Sequence, residues 1–137
     1  MNQDIKKEWI KALRSGKYKQ TTAALKNKQG LCCLGVLCEI FSEEKDIPWS
    51  WEDEENDDAS FIYETGILPV EVLDWAGLPR EVPVGNFTHC NNQVIIPGRI
   101  HPDTGVEQIS LTMLNDGCAG QSKHNFNEIA DIIEKEL

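Results

Sequence analysis

The segment from Leu31 to Phe41 is apolar on nearly every face, and this constrains the fold more than any other feature of the sequence. Three cysteines are interspersed there with leucine, valine, isoleucine and phenylalanine. A helix that is apolar all round has to be buried, because none of its sides gains from contact with water. The sequence therefore predicts a buried central helix, entered through a short extended stretch at Leu31–Cys33.

The rest of the chain has to supply the layers that cover this helix. At 137 residues, with 40% hydrophobic and 26% charged side chains, the chain has the size and composition of one soluble globular domain. The predicted fold is a single small α+β domain over residues 1–137, with four to five helices and a small, mainly antiparallel sheet or hairpin. The predicted elements are helices at Asp4–Arg14, Leu68–Gly77, Ser110–Leu114 and Phe126–Leu137, and strands at Ser60–Thr65, Asn92–Ile96 and Gly105–Ile109.

The final helix carries the strongest local signal. Asn125 and Glu128 have the spacing of a capping box, and apolar residues then recur at helical spacing up to Leu137. We expect its apolar stripe to pack against the cysteine-rich helix.

The cysteines and the hydropathy pattern bear on the compartment. Five cysteines are an odd number, unevenly spread, and no apolar run or leader-like segment indicates membrane insertion or secretion. We expect free core thiols in a reducing cytoplasm, rather than disulfides. A zinc site is the alternative, but Cys32, Cys33 and Cys38 lack Cys-x-x-Cys spacing, and we predict no metal and no cofactor.

The net charge of −10 hides a division along the chain. Residues 1–30 carry eight basic and two acidic side chains, a net charge of +6, whereas residues 31–137 carry five basic and 21 acidic ones, a net charge of −16. The acidic majority argues against binding to duplex nucleic acid, because the phosphates would repel it. The basic part suits a compact anionic ligand such as a nucleotide, or an acidic face of a sister subunit. A lysine-rich solvated helix face is the structural alternative.

Candidate ligand-binding residues lie mainly after the first helix. Arg14, Lys17 and Lys19 offer charge-assisted donors, Tyr18 can stack on a base or ribose, and the amides of Gln20 and Asn115 can recognise hydrogen-bonding edges. Arg99 and His101, in the turn-rich 97–105 segment, are second candidates. Structurally, Tyr18 can instead be a half-buried strand residue, and Arg14 can pair with Asp116.

No catalytic motif stands out. The sequence has no glycine-rich phosphate loop, no Gly-x-Ser-x-Gly elbow and no His-Glu-x-x-His pair. A nucleophile–base pair such as Cys118 with His124 is conceivable, but nothing in the spacing favours it. We therefore predict no catalytic residues and a binding protein rather than an enzyme.

Three blocks of this sequence together resemble a widespread family of small proteins of tailed bacteriophages. They are Trp9-Ile-Lys-Ala-Leu-Arg-Ser-Gly-Lys-Tyr-Lys-Gln20, Leu31-Cys-Cys-Leu-Gly-Val-Leu-Cys38, and Leu114-Asn-Asp116 with the Phe126–Ile133 stripe. The resemblance implies an immune-evasion role of the anti-CBASS sponge type, in which a phage protein binds a cyclic dinucleotide signal of bacterial defence without cleaving it. Such a protein is expected in the host bacterial cytoplasm as a homo-oligomer with no membrane partner.

The acidic insertion at Glu43–Asp58 supports a different hypothesis. It carries nine acidic residues against one lysine, and it also contains Trp49 and Trp51. The tryptophans either pin the loop to the domain or present a flat apolar surface. The alternative hypothesis for the function is that this acidic segment mimics nucleic acid and engages a basic host defence protein.

Overall fold

A computed structural model describes residues 1–51, 57–79, 94–96, 109–117 and 120–137. Within these ranges the chain forms five helices and a three-stranded antiparallel sheet, so the predicted α+β fold is confirmed. The elements are α1 (Gln3–Arg14), β1 (Lys26–Asn27), β2 (Gly30–Leu31), α2 (Cys33–Lys45), β3 (Asp58–Ala59), α3 (Val70–Ala76), α4 (Leu111–Asp116) and α5 (Phe126–Glu136). No helix in the described part of the chain is long and apolar enough to cross a membrane.

Helix α2 is the buried centre of the domain, as its composition predicts. Every residue from Cys33 to Cys38 is buried. Cys32 caps the start of this helix, and its Sγ atom accepts a hydrogen bond from the Gly35 backbone N–H at 3.3 Å. Gly35 allows the preceding chain to approach closely, because a Cβ atom there would lie 1.8 Å from the Leu25 carbonyl oxygen. Only glycine fits at this crossing.

Helices α1 and α5 both show the predicted amphipathic pattern. Asn2 caps α1, and Asn125 with Glu128 forms the capping box of α5. However, α5 packs mainly against α1 and also contacts α4, so the prediction that its stripe packs against the cysteine-rich helix was wrong. The reason is that α1 itself lies on α2, with the indole N–H of Trp9 donating to the Cys33 carbonyl oxygen at 2.9 Å.

The sheet has the order β2-β1-β3, with both pairings antiparallel. Asn27 forms the β1–β2 turn by accepting hydrogen bonds from the backbone N–H groups of Gln29 and Gly30. This is a local turn that asparagine favours.

The predicted strand at Ser60–Thr65 was wrong. Strand β3 ends at Ala59, and Phe61 and Glu64 close a tight turn with two backbone hydrogen bonds of 2.8 and 3.0 Å. The two residues between them, Ile62 and Tyr63, have φ values of 48° and 68°. Positive φ at both central positions reverses the chain, as in a type I′ turn, and so interrupts an extended strand.

The predicted helices at Leu68–Gly77 and Ser110–Leu114 form as α3 (Val70–Ala76) and α4 (Leu111–Asp116). Ser110 caps α4 by accepting from the Met113 N–H. Ile95, within the predicted strand Asn92–Ile96, pairs in an antiparallel bridge with Ser110, the residue after the predicted strand Gly105–Ile109. Residues 92–93 and 105–108 of these two predicted strands lie outside the described residues.

The acidic insertion is fastened to the domain at its start. Residues 43–45 belong to α2, and the Trp49 ring packs on Phe61 at a centroid distance of 4.9 Å. The indole N–H of Trp49 also donates to Glu39 Oε2 at 2.7 Å. Trp49 therefore pins the segment, whereas Trp51 is 47% exposed. Residues 52–56 lie outside the described part.

Candidate functional site

The predicted binding residues at positions 17–20 lie beside strand β2. The Lys19 carbonyl oxygen accepts a hydrogen bond from the Leu31 N–H, and the Leu31 carbonyl oxygen accepts one from the Thr21 N–H, both at 2.9 Å. A Cβ atom at Gly30 would lie 2.0 Å from the Lys19 carbonyl oxygen, so glycine is needed for this contact. The backbone of the segment is thus held on the sheet, and its side chains can face solvent.

Tyr18 is half-buried and is the one described residue that lines both of two grooves at this site. The Arg14 groove, of about 260 Å³, is lined by Leu13, Arg14, Gly16, Tyr18, Gln20, Asn125, Phe126 and Asn127. The Lys17 groove, of about 290 Å³, is lined by Glu8, Lys11, Ala12, Ser15, Lys17, Tyr18, Ile40 and Glu43. The structure therefore brings four predicted residues together: Arg14, Lys17, Tyr18 and Gln20.

Arg14 is partly committed to helix α5. Its Nη2 atom donates to Asp131 Oδ1 at 2.5 Å and to Glu134 Oε2 at 2.8 Å. The hydrogen bonds to Glu134 and Asp131 raise the pKa of Arg14, and Arg14 in turn lowers the pKa of Glu134. The alternative that Arg14 pairs with Asp116 was wrong, because Asp116 accepts from the Ala23 N–H and the Asn115 amide instead. Arg14 Nε and Nη1 make no hydrogen bond with a described residue.

The Arg14 groove also contains the beginning of helix α5, which the sequence analysis did not assign to the site. Asn125 caps this helix, and its oxygen is already used by the Glu128 N–H. The backbone N–H groups of Phe126 and Asn127 belong to the first turn, where no intrahelical acceptor exists. Such N–H groups attract anions. The capping box predicts where this helix begins, but no local signal indicates that it lies beside Tyr18.

The Lys17 groove carries the exposed cationic side chains. Lys17 Nζ lies 5.0 Å from the centre of the Tyr18 ring and 3.6 Å from Glu43 Oε1. The interaction with Tyr18, and then the charge of Glu43, raise the pKa of Lys17, so this lysine is cationic at neutral pH. Lys11 lines the same groove, and both it and Lys19 are exposed with no ion pair to a described residue.

Asn115 has a different role from the one predicted. It is fully buried, and its oxygen accepts from Gln20 Nε2 at 2.9 Å and from the Cys33 N–H at 3.1 Å. Its amide nitrogen donates to the Thr21 carbonyl oxygen and to Asp116 Oδ1. With all four of its hydrogen bonds made inside the protein, Asn115 supports the site from beneath, and we leave it out of the ligand-contacting set.

Arg99, His101 and Cys118 lie outside the described residues. Burial raises the pKa of the Cys32 thiol to about 11 and those of Cys33 and Cys38 well above the ordinary value, so all three are protonated and pack as small hydrophobes. Among the residues that the structure describes, no group of three His, Cys, Asp or Glu side chains could hold a metal ion.

Comparison with known proteins gives one match. A family model described as a domain of unknown function, DUF8296, matches residues 1–137. No curated protein and no solved structure matches the chain.

Proposed function

The chain belongs to the DUF8296 family, and we propose that it binds a cyclic dinucleotide of bacterial anti-phage signalling and sequesters it without cleavage. The observation that carries this proposal is that Tyr18 lines two grooves, of which one contains Arg14 and the other contains Lys11 and Lys17. On this proposal the chain acts as a phage immune-evasion protein in the host bacterial cytoplasm.

The chemistry of the ligand fits the two grooves. A cyclic dinucleotide carries two phosphates and two bases, and therefore needs two anion sites separated by a surface on which a base can stack. Arg14 and the first turn of α5 provide donors in one groove. Lys11 and Lys17 provide charge in the other groove. Tyr18, which lines both grooves, provides the aromatic face, which is worth about 1–3 kcal/mol per stacked base.

The size of the grooves supports an oligomer. Each groove, at about 260 or 290 Å³, lies below the roughly 300 Å³ at which ligand pockets normally begin. Neither groove on its own would enclose a dinucleotide. A ligand that spans Tyr18 and is covered by a second copy of the chain would lose most of its contact with water. We therefore propose a homo-oligomer with the ligand bound at or near an interface.

The direct test is to incubate the purified protein with a panel of cyclic dinucleotides and trinucleotides, remove free ligand, and heat the complex. We expect one cyclic dinucleotide to be recovered chemically intact and in stoichiometric amount. Linear products would identify an enzyme instead. Failure to retain any cyclic nucleotide would contradict the proposal.

A further inference from the structure

The Lys17 groove contains two carboxylates beside its two lysines. Its lining includes Glu8 and Glu43 as well as Lys11 and Lys17. The four formal charges cancel. Holding a phosphate accounts for the lysines but not for the carboxylates, because a carboxylate repels a phosphate. The part of a ligand that lies in this groove therefore has to satisfy acidic side chains as well as basic ones.

The two carboxylates differ in what they already contact. Glu43 Oε1 lies 3.6 Å from Lys17 Nζ, so this pair is partly satisfied within the protein. Glu8 is exposed and makes no hydrogen bond or ion pair with a described residue. A carboxylate only accepts hydrogen bonds, and its two oxygens can take two parallel donors. Among the described residues of this groove, Glu8 is the carboxylate that is left for a ligand.

The residues beside Glu8 complete a surface that suits a flat molecule with a polar edge. Lys11 follows Glu8 by three positions on α1, so the two side chains are neighbours on the helix surface. The lining next to them includes Ala12, Ile40 and Tyr18. The groove thus places one group that only accepts and one group that only donates beside apolar and aromatic surface. A nucleobase has this combination of a flat face and a hydrogen-bonding edge.

The order of donors and acceptors distinguishes the bases. On its pairing edge guanine presents the O6 acceptor, then the N1–H donor and the N2 amino donor. A lysine can donate to O6 while a carboxylate accepts from both nitrogens, which gives three hydrogen bonds. Adenine presents one amino donor and one ring acceptor on the same edge, so it leaves a carboxylate oxygen unpaired.

We infer that the Lys17 groove binds a guanine base, with Glu8 accepting from N1–H and the N2 amino group and Lys11 donating to O6. Tyr18 supplies the aromatic surface beside the base. This inference rests on the proposed function, since it names one base of the cyclic dinucleotide. It assigns Glu8 as the residue that determines base specificity.

The test is calorimetric titration with cyclic di-GMP, cyclic GMP–AMP and cyclic di-AMP, which share their two phosphates and differ in their bases. We expect the better of the two guanine ligands to bind at least about tenfold more tightly than cyclic di-AMP, the scale of one bidentate base contact. Glu8→Gln retains the size of the side chain but replaces one acceptor oxygen with a donor. It should weaken that guanine ligand at least about tenfold and leave cyclic di-AMP within about threefold.

Asp4→Asn is the matched control, because it removes the same charge from α1 one turn before Glu8 and outside the groove. It should leave all three affinities within about threefold. Equal wild-type affinities for cyclic di-AMP and the guanine ligands would overturn this inference and leave the proposed function standing. A guanine preference that Glu8→Gln retains, or an equal loss for all three ligands, would also overturn it. Binding of none of the three ligands, with no other cyclic nucleotide retained, would overturn the inference and the proposed function together.

Discussion

The side-chain amide of Gln20 donates to Asn115 Oδ1 across 2.9 Å, and this bond joins the candidate binding segment to the buried core. Gln20 is half-buried, whereas Asn115 is fully buried and also accepts from the Cys33 N–H at the start of α2. The position of the segment around Tyr18 is thus fixed by the same residue that supports the central helix. Binding surface and core stability are coupled through Asn115.

Asn115→Ala should lower the free energy of unfolding by about 3 kcal/mol, since it leaves the buried Cys33 N–H and Thr21 carbonyl without partners. Urea denaturation followed by circular dichroism measures this loss. Gln20→Ala is the matched control and should cost less than about 1 kcal/mol, because water can replace the lost amide at that half-exposed position. Equal losses for both variants would contradict the central role of Asn115.

Gly35→Ala should be among the most damaging single substitutions in the chain. The new methyl group would lie 1.8 Å from the Leu25 carbonyl oxygen, so the backbone has to move. We expect a loss of at least about 3 kcal/mol, at the upper end of overpacking effects. Gly66→Ala adds the same methyl group where no atom lies within 4 Å, and it should change stability by less than about 0.5 kcal/mol. Similar melting temperatures for the two variants would show that the crossing at Gly35 is not tight.

Local signals in the sequence predict the helices well. The stripe of Ile5, Trp9, Ile10 and Leu13 defines α1, and the capping box at Asn125 defines the first residue of α5. The all-apolar run around Cys38 predicts its own burial. Each of these features depends on residues within a few positions of one another in the sequence. Hydrophobic periodicity and capping motifs predict structure over that distance.

The errors concern contacts between distant segments or a backbone conformation that the residue types disfavour. Arg14 pairs with Asp131 and Glu134, more than a hundred positions away, and nothing in the helical pattern distinguishes these carboxylates from Asp116. Apolar periodicity also indicates that α5 is covered, but not by which helix. At Ile62 and Tyr63 the residue types favour a strand, and the structure forms a turn there despite that preference.

Helix α5 offers a test of the burial of its apolar stripe. Ile129 is fully buried on the stripe that packs mainly against α1. Ile129→Ala should cost about 2–5 kcal/mol, the range for emptying a core site. Asp131→Ala, on the exposed face of the same helix, should cost less than about 1 kcal/mol even though it removes one partner of Arg14. A loss below about 1 kcal/mol for Ile129→Ala in urea melts would contradict the burial of this stripe.

The buried thiols predict a loss of stability at alkaline pH. Burial raises the pKa of Cys32 from 9.0 to about 11, so the unfolded chain releases this proton at lower pH than the folded chain. The difference in pKa stabilises the folded state in full below about pH 9. This contribution to the free energy of unfolding is lost as the pH rises toward about 11, at roughly 1.4 kcal/mol per pH unit for this thiol.

Urea melts across this pH range measure the slope of the free energy of unfolding against pH. Cys32→Ser, which keeps a capping acceptor for the Gly35 N–H, should have a shallower slope by the contribution of one thiol. Parallel pH profiles for the wild type and this variant would show that Cys32 titrates alike in both states.

The most direct test of the proposed function is calorimetric titration with the cyclic dinucleotide that the panel identifies. Tyr18→Ala alters the residue that lines both grooves, and Lys17→Glu alters a cation of one of them. Lys28→Glu is the control, because it makes the same charge change outside both grooves. We predict that Lys17→Glu and Tyr18→Ala each weaken binding by about thirtyfold or more, the scale for truncating a desolvated partner of a charged ligand, and that Lys28→Glu stays within about threefold of wild type. If the folded Lys17→Glu and Tyr18→Ala variants also bind within about threefold of wild type, the ligand does not bind at Tyr18 and the proposal is wrong.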